Sequence, residues 1–107
     1  MTVTNEEILL ALRDVATSLT SNEAIAGRLE AARETLNISK SELATRCGIS
    51  MSTYSNYLSF EQQPQIDTGR KLARGLGITL DWIYSGSLSG LNDRMRAALS
   101  QHPYAAP

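Results

Sequence analysis

The chain predicts an all-α fold, and three observations carry that expectation. No segment shows the strict apolar–polar alternation of a half-buried strand. Capping boxes of the S/T-x-x-E type recur, each followed by apolar residues at helical spacing. In the middle lies SKSELATRCGISMSTYSNY, from Ser39 to Tyr57, which reads as two short helices joined by a glycine turn.

The elements follow in order. Thr4 and Glu7 form a T-x-x-E box, after which Ile8, Leu12, Val15 and Leu19 recur at helical spacing with Leu9 beside them. They predict an amphipathic helix over about residues 5–18. Thr20 and Glu23 form a second box, and Ile25, Leu29, Ala32 and Leu36 give the stripe of a helix over about 21–36, closed by Asn37. Ser39 and Glu42 open a helix over about 40–47, with Leu43, Ala44 and Cys47 on its inner face. Gly48 ends it, because glycine takes the left-handed conformation at little cost. Ile49 fills the gap between the two helices, and Ser50 caps the next, over about 51–58, with Tyr54, Tyr57 and Leu58 inward.

The polar run SFEQQPQ, from Ser59 to Gln65, contains Pro64 and predicts a loop. Ile66, Leu72, Ala73 and Leu76 mark a helix over about 66–75, ending at Gly75 or Gly77. Thr79 caps a short helix carrying Leu80, Trp82 and Ile83, with Trp82 as a core plug. Ser85 to Gly90 reads as a flexible connection. Leu91, Met95 and Leu99 predict a last helix over about 90–100, followed by a frayed end, HPYAAP.

Composition narrows the function classes. A length of 107 residues suits one core, and 42% hydrophobic content is enough to fill it. A single cysteine excludes an internal disulfide and fits a reducing cytoplasm. No apolar run approaches the roughly 18 residues that span a membrane. The N-terminus lacks the basic flank and cleavage site of a signal peptide, so a cytoplasmic, nucleoid-associated protein is expected. Net charge is −1, which taken alone argues against a nucleic-acid partner. Its distribution weakens that objection. From Arg28 to Arg74, seven basic residues face five acidic ones, whereas the rest of the chain has three against six. Modest non-specific affinity and a shallow salt slope follow.

Helix, glycine turn and helix at this spacing form a helix-turn-helix, whose second helix enters the major groove of DNA. The pieces IAGRLEAARETLNISKSELATRCGIS, STYSNY, P-x-I-D-T and KLARGLGITLDWIY fall in one ungapped register from Ile25 to Tyr84. Over that span the chain resembles the Cro/XRE-type, lambda-repressor-like DNA-binding family. The resemblance implies a compact bundle of five short helices, here with extra N-terminal and C-terminal helices, binding operator DNA as a dimer. It divides the chain into residues 1–20, an amphipathic helix for packing or dimerisation, 21–85, the DNA-binding domain, and 86–107, the last helix and tail.

The chain departs from the family pattern at several positions. Lys40 stands where members often carry Gln, and Leu58 and Phe60 where they often carry Glu and Gly. Gln62 replaces a common basic residue, and Gly69 replaces an apolar one. Gly69 inside a helix costs about 1 kcal/mol relative to Ala and leaves room for a close neighbour.

The outward positions of the second helix map to the family's base contacts: Met51, Ser52, Ser55 and Asn56. Asn56 is the strongest candidate, because an amide both donates and accepts, as adenine requires. Ser52 discriminates weakly, and Met51 suits a thymine methyl. Phosphate contacts are expected from Ser39, Lys40 and Ser41, where backbone N–H groups also favour an anion. Thr53, Ser59 and Gln63 are weaker candidates, and Arg46 reads equally as a clamp or a solvated charge.

Cys47 reads as core, His102 has no ligand cluster beside it, and Glu6, Glu7 and Asp14 read as solvated surface. No metal site, cofactor, small-molecule ligand or membrane partner is expected. No phosphate loop, metal-ligand spacing or nucleophile–base pair points to an enzyme. The expected function is a sequence-specific transcriptional regulator, a repressor acting as a homodimer on a palindromic operator. Leu88, Leu91, Met95 and Leu99 are expected to supply part of the subunit interface. An antitoxin that binds a toxin and autoregulates its operon, and a protein-interaction module that has lost DNA, are the competing readings.

Overall fold

The computed structural model describes residues 4–7 and 19–106. Residues 5–7 are helical, and the Thr4 hydroxyl accepts from the Glu7 N–H at 3.1 Å, as the first capping box predicts. The remainder of the helix expected over 5–18 lies outside the described residues. Six helices follow: α1 (Asn22–Thr35), α2 (Lys40–Cys47), α3 (Met51–Leu58), α4 (Ile66–Leu76), α5 (Leu80–Ser85) and α6 (Asp93–Leu99). No strand occurs among the described residues.

Local chemistry sets the helix ends. Ser21, Ser39, Ser50, Thr79 and Asn92 each accept a backbone N–H of the first turn, at 2.8–3.1 Å. Ser21 therefore caps α1, one residue beyond the Thr20 the sequence suggested. Gly48 and Gly77 close α2 and α4 in the left-handed conformation, at φ 68° and 67°. Gly75 is not the stop: it lies inside α4, where α2 crosses closely enough that Cys47 Sγ leaves no room for a Cβ. Gly69 likewise admits the Tyr84 ring, whose hydroxyl donates to the Pro64 carbonyl at 2.6 Å.

The core centres on Trp82, fully buried beside Ile25, Leu29, Leu72, Leu76 and Ile83. Helix α1 packs on α3, α5 and α6, and α2 packs on α3 and α4. Leu91, Met95 and Leu99 are buried in this same core. The expectation that they supply a subunit interface is thereby corrected, because their apolar surface is already spent within the protomer. Leu88 is half-buried against the same core.

Two further expectations fail. The end of the chain is not frayed: Ala106 N–H donates to the Gly86 carbonyl at 2.6 Å, and the Tyr104 ring covers Gly27. The Ser85–Gly90 connection is ordered, with Gly86 buried at φ 74° and the Ser87 N–H bonded to the Asp81 carbonyl at 3.2 Å. The tail is also tied to α5 by Arg28, fully buried on α1, whose guanidinium donates to the carbonyls of Leu19, Ile83 and Tyr104. Burial pulls its pKa down to about 10, a sign of how costly the desolvation is. A buried cation costs several kcal/mol, offset here by hydrogen bonds to a charged group worth about 1.5–3 kcal/mol each.

Candidate nucleic-acid interface

Helices α2 and α3 and the turn between them coincide with the sequence expectation. Helix α3 carries no charged side chain. Tyr54 and Tyr57 face inward at 0% and 4% exposure, which sets the roll of the helix. The opposite side presents Met51, Ser52 and Ser55, all exposed, with Asn56 half-buried beside them. Ser52 and Asn56 are four residues apart and so share one face, as do Met51 and Ser55. The side chains of Ser52, Ser55 and Asn56 make no hydrogen bond to any described residue, so their donors and acceptors are unspent.

The candidate phosphate contacts divide into two groups. Ser39, Lys40 and Ser41 are exposed together at the start of α2. The Ser39 hydroxyl accepts the Glu42 N–H at 3.0 Å, while the first-turn N–H groups of Lys40 and Ser41 face outward as helix geometry leaves them. The capping box is one-sided, because the Glu42 carboxylate points to Arg46 at 4.0 Å instead. Arg46 sits in the last turn of α2, about 9 Å along the helix from Lys40 by the 1.5 Å rise per residue. It is therefore not gathered with the first group.

Thr53 and Ser59 are partly committed. The Ser50 hydroxyl donates to Thr53 Oγ1 at 2.8 Å, and the Ser59 hydroxyl donates to the Asn56 carbonyl at 3.1 Å. Gln63 donates its amide to the Thr20 carbonyl at 2.9 Å, fastening the loop to the start of α1.

Tyr54 faces inward as expected, and its hydroxyl lies inside the fold as well. It donates to Glu30 Oε1 at 2.6 Å, and the Arg33 guanidinium forks onto the same carboxylate at 2.8 and 3.0 Å. Arg33 also donates to the Ile38 carbonyl at 2.7 Å, immediately before the α2 cap. Burial raises the Glu30 carboxyl, but the hydrogen bonds from Arg33 and Tyr54 outweigh it and hold it below the ordinary glutamate value. Burial first, then the hydrogen bond to Glu30, drive the Tyr54 hydroxyl well above the ordinary tyrosine range. The i,i+3 spacing of Glu30 and Arg33 was a visible signal of a pair; Tyr54 as its third member was not.

The charge pattern changes accordingly. Of the seven central cations, Arg28 is buried and Arg33 is paired. Lys40, Arg46, Arg70, Lys71 and Arg74 remain exposed, and the last three have no carboxylate within 4.0 Å among the described residues.

Cys47 is buried, and that burial pushes its thiol up against the opposing effect of Arg46. His102 accepts the Tyr104 N–H at 3.3 Å. No group of three metal-ligating side chains occurs among the described residues, and no described helix is long and apolar enough to cross a membrane.

A family model described as helix-turn-helix matches residues 29–83, just over half of the chain. No curated protein and no solved structure matches it.

Proposed function

The chain belongs to the Cro/XRE-type helix-turn-helix family of DNA-binding transcription regulators, and from that membership we propose that it represses transcription by occupying operator DNA as a homodimer. In this reading Met51, Ser52, Ser55 and Asn56 meet base edges. Ser39, Lys40 and Ser41 meet phosphates on one flank, with Thr53, Ser59 and Arg46 as lesser contacts. The observation that carries it is the outer face of α3: exposed, uncharged, and with its hydrogen-bonding groups unspent. Such a face gains little from bulk electrostatics and much from the donor–acceptor pattern of the major groove.

Repression follows from steric occupancy, which needs no module beyond the domain itself. Dimerisation follows from reach: one such helix reads only a few base pairs, and two-fold symmetry places half-sites about 34 Å apart. With Leu91, Met95 and Leu99 spent in the core, Phe60 and Ile66 are, among the described residues outside α3, the large apolar side chains left half-exposed for a subunit contact, at 48% and 52%.

Selection from random duplexes, followed by titration at rising salt, tests the reading. A two-fold symmetric motif should be enriched. Two or three phosphate contacts per subunit, four to six in the dimer at about 0.9 each, give a log–log salt slope of about −4 to −5. No enrichment, together with no salt-sensitive binding at low ionic strength, removes it. Light scattering that finds a monomer at high micromolar concentration with and without the selected duplex removes the dimer.

A further inference from the structure

We propose that Glu30 is a positioning residue for DNA reading: its carboxylate holds α3 and the start of α2 in one register. The inference rests on the reading of those two elements as the DNA surface.

Glu30 belongs to α1 and projects toward neither base nor phosphate in that reading. Its Oε1 accepts from the Tyr54 hydroxyl of α3 at 2.6 Å and from Arg33 Nε at 3.0 Å. Its Oε2 accepts from Arg33 Nη2 at 2.8 Å. The remaining arm of that guanidinium, Nη1, donates to the Ile38 carbonyl at 2.7 Å, one residue before Ser39. One carboxylate thus reaches both DNA-facing elements, directly into α3 and through Arg33 into the loop that launches α2. The Lys40 ammonium adds to the charges that favour the ionised carboxylate, so the first residue of α2 lies within its field.

Geometry explains why this matters. Tyr54 is fully buried, so its ring fixes α3 against the core, but packing alone tolerates a small roll. A side-chain tip about 6 Å from the helix axis moves about 2 Å in a 20° roll, more than a hydrogen bond to a base edge accepts. The Tyr54–Glu30 bond stops that roll, and the Arg33 arm ties the same anchor to Ser39. The Glu30 and Arg33 side chains are 24% and 17% exposed, so desolvation offsets part of the pairing and its net contribution to stability is modest. What the arrangement supplies is direction, which a charge-assisted, forked pairing fixes better than apolar contact.

The test uses the full chain with Glu30→Gln, Tyr54→Phe and the double variant. Without DNA, Glu30→Gln should speed amide exchange at least fivefold at Leu43 in α2 and at Tyr57 in α3, with Leu72 and Met95 changed less than twofold. With DNA, each single variant should lower the affinity ratio of a selected duplex over a scrambled one by about 5- to 30-fold. The double variant should be no worse than the weaker single one, and scrambled-duplex affinity should stay within twofold. Uniform acceleration of exchange, acceleration confined to α3, or an unchanged ratio in folded Glu30→Gln overturns the proposal. Should Glu30→Gln not fold, Tyr54→Phe alone decides: it leaves the Arg33 arm to Ile38 intact, so faster exchange at Tyr57 but not at Leu43 is expected together with the lowered ratio, and an unchanged ratio or uniform acceleration overturns the proposal. A wild-type chain that selects no duplex removes the functional reading, and the proposal with it, whereas selection by wild type with an unchanged ratio in the variants removes the proposal alone.

Discussion

Cys47 Sγ lies 2.5 Å from the point a Cβ on residue 75 would occupy, and the Cys47 Cα and Arg46 carbonyl lie 3.1 and 3.2 Å from it. Helices α2 and α4 touch through that missing side chain. Gly75→Ala gains about 1 kcal/mol of helix propensity but overpacks a contact made partly of backbone, at about 1–3 kcal/mol. Net destabilisation is expected in urea unfolding. Cys47→Ala in the same chain should restore only part of it, because the backbone atoms remain.

Phe60 follows the α3 cap at φ 64°, where the family pattern favours glycine. The Glu61 N–H reaches back to the Asn56 carbonyl at 3.3 Å, so the helix end needs a left-handed residue here. A bulky residue in that region costs about 1–2 kcal/mol, and glycine loses about 0.5–1 kcal/mol in chain entropy. Phe60→Gly should therefore raise the unfolding free energy by about 0.5–1 kcal/mol. If Phe60 serves a subunit contact, the same variant weakens dimerisation in light scattering while the monomer gains stability.

Asn56→Ala should cost about 1–3 kcal/mol of preference for the selected duplex, as loss of a bidentate base contact does. Its half-buried amide has no partner among the described residues, so the melting temperature should hardly move. Lys40→Ala should instead weaken selected and scrambled duplexes alike and flatten the salt slope by about one unit per subunit. An Asn56→Ala protein that keeps its full preference places base reading elsewhere.

Acid should probe the Glu30 network. Its folded carboxyl titrates below the ordinary glutamate value, about 4.3 in the unfolded chain. The stabilisation is therefore complete above that value and lost as pH falls through the lower, folded one. A melting-temperature series from about pH 6 down to about pH 3 should fall less steeply for Glu30→Gln than for wild type. Parallel curves would show that Glu30 does not contribute.

The helix-turn-helix was legible because its determinants are local. Ser39, Gly48 and Ser50 act within one turn of themselves, and the structure places α2 and α3 at the expected residues. What escaped depends on partners far along the chain. Arg28 sits in register with Ile25, Leu29 and Ala32, a visible anomaly, but nothing nearby in sequence names its acceptors 55 and 76 residues on. Tyr104 ends a segment of tail composition and is held by a notch at Gly27 that only the folded bundle forms. Ile66 fits an apolar stripe yet stands 52% exposed, because the first turn of α4 projects past the core. At the candidate interface, the exposure of Met51, Ser52 and Ser55 could be read from periodicity, whereas the inward Tyr54 hydroxyl required Glu30 of another helix.

The anchoring of Arg28 has a consequence for how the chain can be divided. The segment matching the family model starts at residue 29, one position after this guanidinium, and stops at 83, before any of α6. A fragment trimmed to that match would lack the cation, strand the Ile83 carbonyl, and bare the pocket that Leu91, Met95 and Leu99 fill. The matched span is thus shorter than the set of residues that packs together, and excising it should yield a loose, sticky polypeptide rather than a miniature of the whole.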